Sequence, residues 1–292
     1  MTETDSLDPK TRRRTAIGIA AGISAGLCLS SGGIALRLIE SADGWQILTV
    51  RGAALAIAIF AWLAIRYRTR ALEAVVALGM RGVIAAFAIG ITAILYVFAI
   101  LNTTVANTVV ILSLSPLITA MLAWLVLRES VANTTIGSIA VAITGVAVMF
   151  ADSLGAGGAL GMLIALGAAT CFACFVVTLR AGRDIDMVPA IGLSGLVTFA
   201  IAVCMAPDLV ISANDAGIGV FLGVFQLALG YACVAIATRH LPATLTALLI
   251  LSEVVFAPLW VWLGVGEVPT AWAALGALIV MSAVAYQATR AT

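Results

Sequence analysis

Residues 99–129 read AILNTTVANTVVILSLSPLITAMLAWLVLRE, and 138 positions later residues 237–267 read ATRHLPATLTALLILSEVVFAPLWVWLGVGE. Ala99 falls on Ala237, Trp124-Leu125 on Trp262-Leu263 and Glu129 on Glu267. Leucine and alanine matches carry little information in apolar sequence, whereas paired Trp and Glu matches carry a good deal. A second register, offset by 143, sets Gly18 on Gly161, Ala25 on Ala168 and Leu36-Arg37 on Leu179-Arg180. The chain is therefore built from two related halves, and self-similarity of this kind constrains a fold more than any single motif.

Working outward, both copies sit in a chain of 292 residues that is 63% hydrophobic and only 10% charged, with a mean hydropathy of +1.18. A water-facing surface needs roughly 25% charged residues, so most of this surface faces lipid. No period-2 alternation marks a membrane barrel. The apolar runs have the length of spanning helices, about 20 residues each. They fall at 15–38, 45–65, 82–101, 105–127, 132–150, 159–181, 187–206, 216–238, 242–263 and 269–288, with the tightest link at Asn102-Thr103-Thr104. The expected fold is an all-α integral membrane protein of ten transmembrane helices. Its parts are a cytoplasmic tail (1–14), a first five-helix repeat (15–150) and a second (151–292). The basic tail before the first run resembles a signal peptide, but the run continues too far, so it reads as a retained span.

Charge fixes the expected orientation. With the N-terminus inside, thirteen of the fifteen basic residues lie on the cytoplasmic side, from Lys10, Arg12, Arg13 and Arg14 through Arg66, Arg68, Arg70, Arg81, Arg128, Arg180, Arg183 and Arg239 to Arg290. Only Arg37 lies outside and Arg51 within a span, while Asp43, Asp152, Asp208, Asp215 and Glu267 fall outside. The positive-inside rule then places both termini of this multi-pass protein in the cytoplasm. Five spans per repeat is an odd number, so the two copies insert with opposite orientation. Arg37 outside against Arg180 inside, and Glu129 inside against Glu267 outside, agree with that. Inverted repeats are the architecture of alternating-access transporters, with the cargo held near the midplane.

The quoted stretch and its copy resemble the drug/metabolite transporter superfamily, EamA-type, in which each half carries a small-residue helix, a Pro near the middle of the next span and a Glu at that span's end. Pro116 and Glu129 fit in the first half, Glu253 and Glu267 in the second. Val254 stands where the family usually has Pro, and Leu29-Ser30 where a Trp-Gly pair is common. The resemblance spans residues 15–288 and implies a carrier, not an enzyme. Within the superfamily it is closest to the bacterial amino-acid exporters, aromatic amino-acid exporters among them.

Glu253 lies 11 positions into the ninth run, roughly 16 Å deep. A carboxylate there marks a pathway, by meeting a substrate ammonium or a proton, or else it is a hydrogen-bonded packing group. Arg51, about 9 Å below the outer interface, either snorkels outward or faces the cavity to meet a substrate carboxylate or Glu40. The pair suits a zwitterion and equally an internal ion pair. Asn107, Ser115, Tyr96, Gln226, Tyr231 and Thr244 are further cargo candidates that also serve as ordinary interhelical glue. Gln226 and Tyr231, five apart, do not share one face. Gly18, Gly22 and Gly26, echoed by Gly219 and Gly223, form small-residue ridges for close helix approach and sliding. Pro116 and Pro258 remove mid-span hydrogen bonds and are candidate hinges. Glu129 and Glu267 read as structural.

Several chemistries find no support. The single lysine, Lys10, leaves no G-x-x-x-x-G-K-[ST] loop, so the carrier is secondary or facilitative and needs no cofactor. Phosphate-rich cargo would want more cavity cations, and a net charge of +1 gives no reason for a nucleic-acid partner. The expected partners are a small molecule and the lipid bilayer, with a homo-oligomer left open. Cys171-x-x-Cys174 lies in an apolar helix, where thiols are inert packing groups and a metal site is not expected. Gly22-Ile-Ser24-Ala-Gly26 lacks the strand–helix elbow of a hydrolase. Gly192-Leu-Ser194-Gly195 resembles an intramembrane serine protease motif, with His240 the sole candidate base. The alternatives to amino acids are drugs or other metabolites.

Overall fold

The computed structural model of the protein describes residues 9–103, 105–151, 158–206, 208–266 and 270–291. Residues 1–8, Thr104, Asp152 and Glu267, on which expectations fall, lie outside them, as does the side chain of Arg37. Every regular element among the described residues is helical. Among the described residues, nine helices are long and apolar enough to cross a membrane, and Asn133–Met149 is an apolar helix of 17 residues, at the short end of spanning length.

The spans run as follows: first, Pro9–Ser30 continued by Gly32–Arg37; second, Gly44–Tyr67; third, Gly79–Asn102; fourth, Val105–Leu112 and Ser115–Leu122, ending in a wide π turn at Ala123–Leu127. Asn133–Met149, Ala159–Ala181 and Val188–Met205 are the fifth to seventh. The eighth is Ala213–Phe221 and Gly230–His240 joined through a π segment, Leu222–Leu229. The ninth is Ala243–Ile250 and Glu253–Val265, and the tenth Ala271–Ala291. The described part of the first helix runs from Pro9, inside the stretch expected to be the cytoplasmic tail. The basic loop after the second span is also partly helical, at Ala71–Val76.

Large apolar side chains point outward along the spans, among them Leu163 at 66%, Leu278 at 70% and Ile65 at 80% exposed. That pattern is intolerable in water and ordinary in lipid. Inside, one apolar cluster joins Leu55, Ile59, Ile89, Phe175, Ile191 and Val234. Another joins Ile139, Val146, Leu248, Leu249 and Val280.

Packing obeys the repeat. The first span packs on the eighth and ninth, and its counterpart, the sixth, packs on the third and fourth. The second packs on the seventh and the fifth on the tenth, so each of these pairs consists of repeat counterparts. Gly195 meets Gly52 and Ala56 while Gly192 meets Ile59, so the second and seventh spans cross antiparallel. Gly145 meets Val280 and Gly276 meets Met149, so the fifth and tenth do the same. Counterparts that lie antiparallel are inverted repeats. Lipid provides little hydrophobic drive for helix pairing, so close approach through glycine does the selecting. Two triads result, 1-8-9 and 3-4-6, with the pairs 2-7 and 5-10 on the axis between them.

The two ends of the bundle differ in charge. At the acidic end, Asp215 is buried and accepts the backbone N–H groups of Glu40, Ser41 and Ala42 (2.9–3.0 Å) and the Ser41 hydroxyl. Gln46 donates to Asp208 at 2.7 Å, and Asp43 caps the second span. At the basic end, Arg81 donates to the Ala181 carbonyl (3.0 Å) and Tyr67 to Asp186 (2.6 Å).

Repeat equivalence extends to a helix end. Arg128 closes the fourth span with φ 55° and Gly266 closes the ninth with φ 78°, 138 positions on, both left-handed caps.

Candidate functional site

The fourth and ninth spans are each interrupted at the same repeat position. In the fourth, Leu114 donates to the Ile111 carbonyl (3.0 Å). In the ninth, Leu251 and Ser252 donate to the Leu248 and Leu249 carbonyls (both 3.1 Å). These i→i−3 bonds tighten the turn and stop the α-helix. Helix resumes at Ser115 and at Glu253, which are 138 apart and thus counterparts. Broken helices meeting at mid-membrane are how transporters of inverted-repeat design form their binding sites.

Pro116 follows the first break in the opening turn of the new half-helix, where its missing N–H costs nothing. Pro258 does not mark the second break. It lies inside the continuous stretch Glu253–Val265. Gly26 explains why the first span can lie on the break itself, since a Cβ there would stand 3.1 Å from both the Glu253 nitrogen and the Ile250 carbonyl. Gly22 meets Leu249 of the ninth span and Gly18 meets His240 and Leu241 at the end of the eighth, so the expected ridge seats on both. Gly219 and Gly223 meet Val50, Arg51 and Ala54 of the second.

The second span delivers Arg51 to the interior, only 6% exposed, with an Nε that has no hydrogen-bond partner among the described residues. It therefore does not snorkel outward. Tyr96 of the third span and Tyr231 of the eighth lie within electrostatic reach of both Arg51 and Glu253. Phe175 packs edge-on against Tyr231, with centroids 5.4 Å apart. No ion pair among the described residues joins Arg51 to Glu253 or to Glu40. A cation and an acid thus sit on different helices with the same two phenols in electrostatic reach of both, and no ion pair joins them among the described residues.

The remaining candidates divide. Asn107 is buried and donates to the Thr103 hydroxyl of its own span (3.1 Å). Gln226 donates to the Leu29 carbonyl at 2.9 Å, beside the interruption of the first span, while its Oε1 is buried and unpartnered among the described residues. It cross-links the eighth and first spans and is not grouped with Tyr231. Ser115 and Thr244 are buried on the half-helices of the fourth and ninth spans. Sequence reading missed Ser252 and Thr119, both fully buried with unpartnered hydroxyls among the described residues. The signal for Ser252 was its place directly before Glu253. Ser194 donates to the Ile191 carbonyl (2.7 Å) within the 2–7 crossing, and His240 lies beside Gly18.

The half-helices also report the state of the path. Ser115–Leu122 and Ala243–Ile250, the halves toward the basic end, pack against each other. Of the acidic-end halves, Val105–Leu112 packs on the sixth span and Glu253–Val265 on the first.

Antiparallel counterpart helices, paired mid-span breaks and a buried polar centre define a membrane transporter of the inverted-repeat class. More narrowly, the chain belongs to the EamA-like transporter family, of the drug/metabolite transporter superfamily, whose sequence model matches residues 16–151 and again 159–287, once per repeat. A solved crystal structure of a protein is similar in fold, with a TM-score of 0.79 at 14% identity, over 94% of this chain and 98% of that one. No curated protein matches the chain.

Proposed function

We propose that this transporter exports amino acids, or similar small amphiphilic metabolites, across the bacterial cytoplasmic membrane by alternating access. In this reading it is a secondary or facilitative carrier with both termini inside, so that its basic end faces the cytoplasm. The observation that carries the proposal is the buried Arg51 and the half-buried Glu253, with no ion pair between them among the described residues and with Tyr96 and Tyr231 in electrostatic reach of both. A zwitterion satisfies both charges at once, its carboxylate on Arg51 and its ammonium on Glu253. Without cargo, the buried guanidinium is left partly unsatisfied, which favours binding a carboxylate. A drug cation would use Glu253 and the aromatic rings but leave Arg51 without a role.

The test is uptake of a panel of labelled amino acids into proteoliposomes, with and without a pH gradient. Saturable flux is expected, with apparent affinity falling about thirtyfold or more in Arg51→Gln, as for loss of one member of a buried charge pair. Organic amines lacking a carboxylate should be indifferent to Arg51→Gln but sensitive to Glu253→Gln. Gradient dependence that vanishes in Glu253→Gln would assign proton coupling to that carboxylate. Absence of flux for every amino acid, from folded and inserted protein, refutes the amino-acid reading.

A further inference from the structure

One ion pair is found among the described residues, and it lies away from the central site. Arg180, at the basic end of the sixth span, donates from Nε to Glu129 Oε1 at 2.7 Å, with the two side chains 12% and 22% exposed. Each partner also reaches beyond its own triad. Arg180 Nη1 donates to the Thr238 carbonyl of the eighth span (3.1 Å), and Glu129 Oε2 accepts the Ala243 N–H that opens the ninth (3.4 Å). The pair itself belongs to triad 3-4-6, and both of its outer bonds go to triad 1-8-9.

From this we infer that Glu129 and Arg180 form the latch that closes the basic end of the transport path. Ties at the acidic end, Asp215 to residues 40–42, Asn214 to Leu38 and Gln46 to Asp208, join the first, second, seventh and eighth spans and do not bridge the triads. The basic-end half-helices pack together across the triads, and the latch sits beyond them. Along each span it lies roughly 10–20 Å from Tyr231, Glu253 and Ser115. Opening this end means parting Thr238 and Ala243 from Arg180 and Glu129. A charge-assisted, partly buried network of this kind has two discrete conditions, made or broken, and can therefore bias a rocking equilibrium. The sequence alone marked Glu129 as structural. Its contact with Arg180 is what gives it a conformational role.

The inference rests on the transport reading, but its test needs no cargo. Ser115→Cys, in a chain whose five native cysteines are replaced by alanine, places a single thiol at the mid-membrane break. An impermeant maleimide is applied from either face of oriented vesicles. With the latch intact, labelling proceeds from the acidic face and is slow from the basic face. Arg180→Gln should raise the basic-face rate about tenfold and lower the acidic-face rate, because one equilibrium governs both openings. Arg180→Lys, which keeps the ion pair but lacks the planar fork that also reaches Thr238, should give a smaller shift in the same directions. A basic-face rate unchanged in both variants, or rates that rise on both faces, overturns the latch. Failure of amino-acid flux alongside reciprocal labelling overturns the cargo reading and leaves the latch standing.

Discussion

Gly52→Ala tests the packing that places Arg51. A Cβ at Gly52 would stand 2.8 Å from the Phe199 nitrogen and 2.9 Å from the Gly195 carbonyl oxygen, against 3.4 Å for ordinary contact. The shortfall is 3.4 − 2.8, or about 0.6 Å, and it is met by backbone on both sides, which no rotamer change relieves. The second and seventh spans must part at their crossing. Overpacking costs about 1–3 kcal/mol, while replacing a mid-helix glycine by alanine returns about 0.5–1 kcal/mol. Gly137→Ala is the matched control, since nothing lies within 4 Å of a Cβ there, so it receives only the gain. The two variants should therefore differ by about 2 kcal/mol, or roughly 4 °C or more in Tm in detergent at about 2–4 °C per kcal/mol. Gly195→Ala meets the facing backbone of the second span, Ala56 N at 2.7 Å and Gly52 O at 2.8 Å. One separation accommodates both methyls, so the double variant should cost less than the sum of the singles. Equal melting of Gly52→Ala and Gly137→Ala would refute the claim that glycine contact sets this crossing.

Two further outcomes are expected besides the flux and labelling experiments above. Ser252→Ala removes a fully buried hydroxyl that has no partner among the described residues, so Tm should hold or rise by the equivalent of up to about 1 kcal/mol. Apparent cargo affinity should fall several-fold, and unchanged affinity would exclude Ser252 from the site. Arg128→Gly should stabilise the protein by about 1 kcal/mol, because a non-glycine residue held at φ 55° is strained where its counterpart is Gly266. A lower Tm for Arg128→Gly would show that its side chain contributes more than its backbone costs.

The broken spans show where local reading stops. Leu251-Ser252 contains no helix breaker, and the nearby proline, Pro258, sits six residues downstream in unbroken helix. Pro116, by contrast, marks its break closely because the interruption precedes it by two residues. A two-residue tightening needs only packed neighbours to hold it, here the first span pressed close through Gly26. The ridge was legible as small residues at fourfold spacing, but what it pressed against was not. Likewise the depth of Glu253 followed from counting along a span, whereas the Asp215 anchor joins residues more than 170 positions apart and left no local mark.

By itself the sequence determined the membrane class, the twofold repeat and its inversion. These are consequences of composition, of run length against bilayer thickness, and of an odd number of spans per repeat. The tertiary structure alone decided that Arg51 and Glu253 are not paired with each other, that Gln226 serves the first span, and that Glu129 and Arg180 join the two triads. In lipid every outward face is equally apolar, so periodicity does not say which helix faces meet. That choice is made by close backbone contact at a few glycines and by buried polar groups that must find partners, and both depend on residues far apart in the chain.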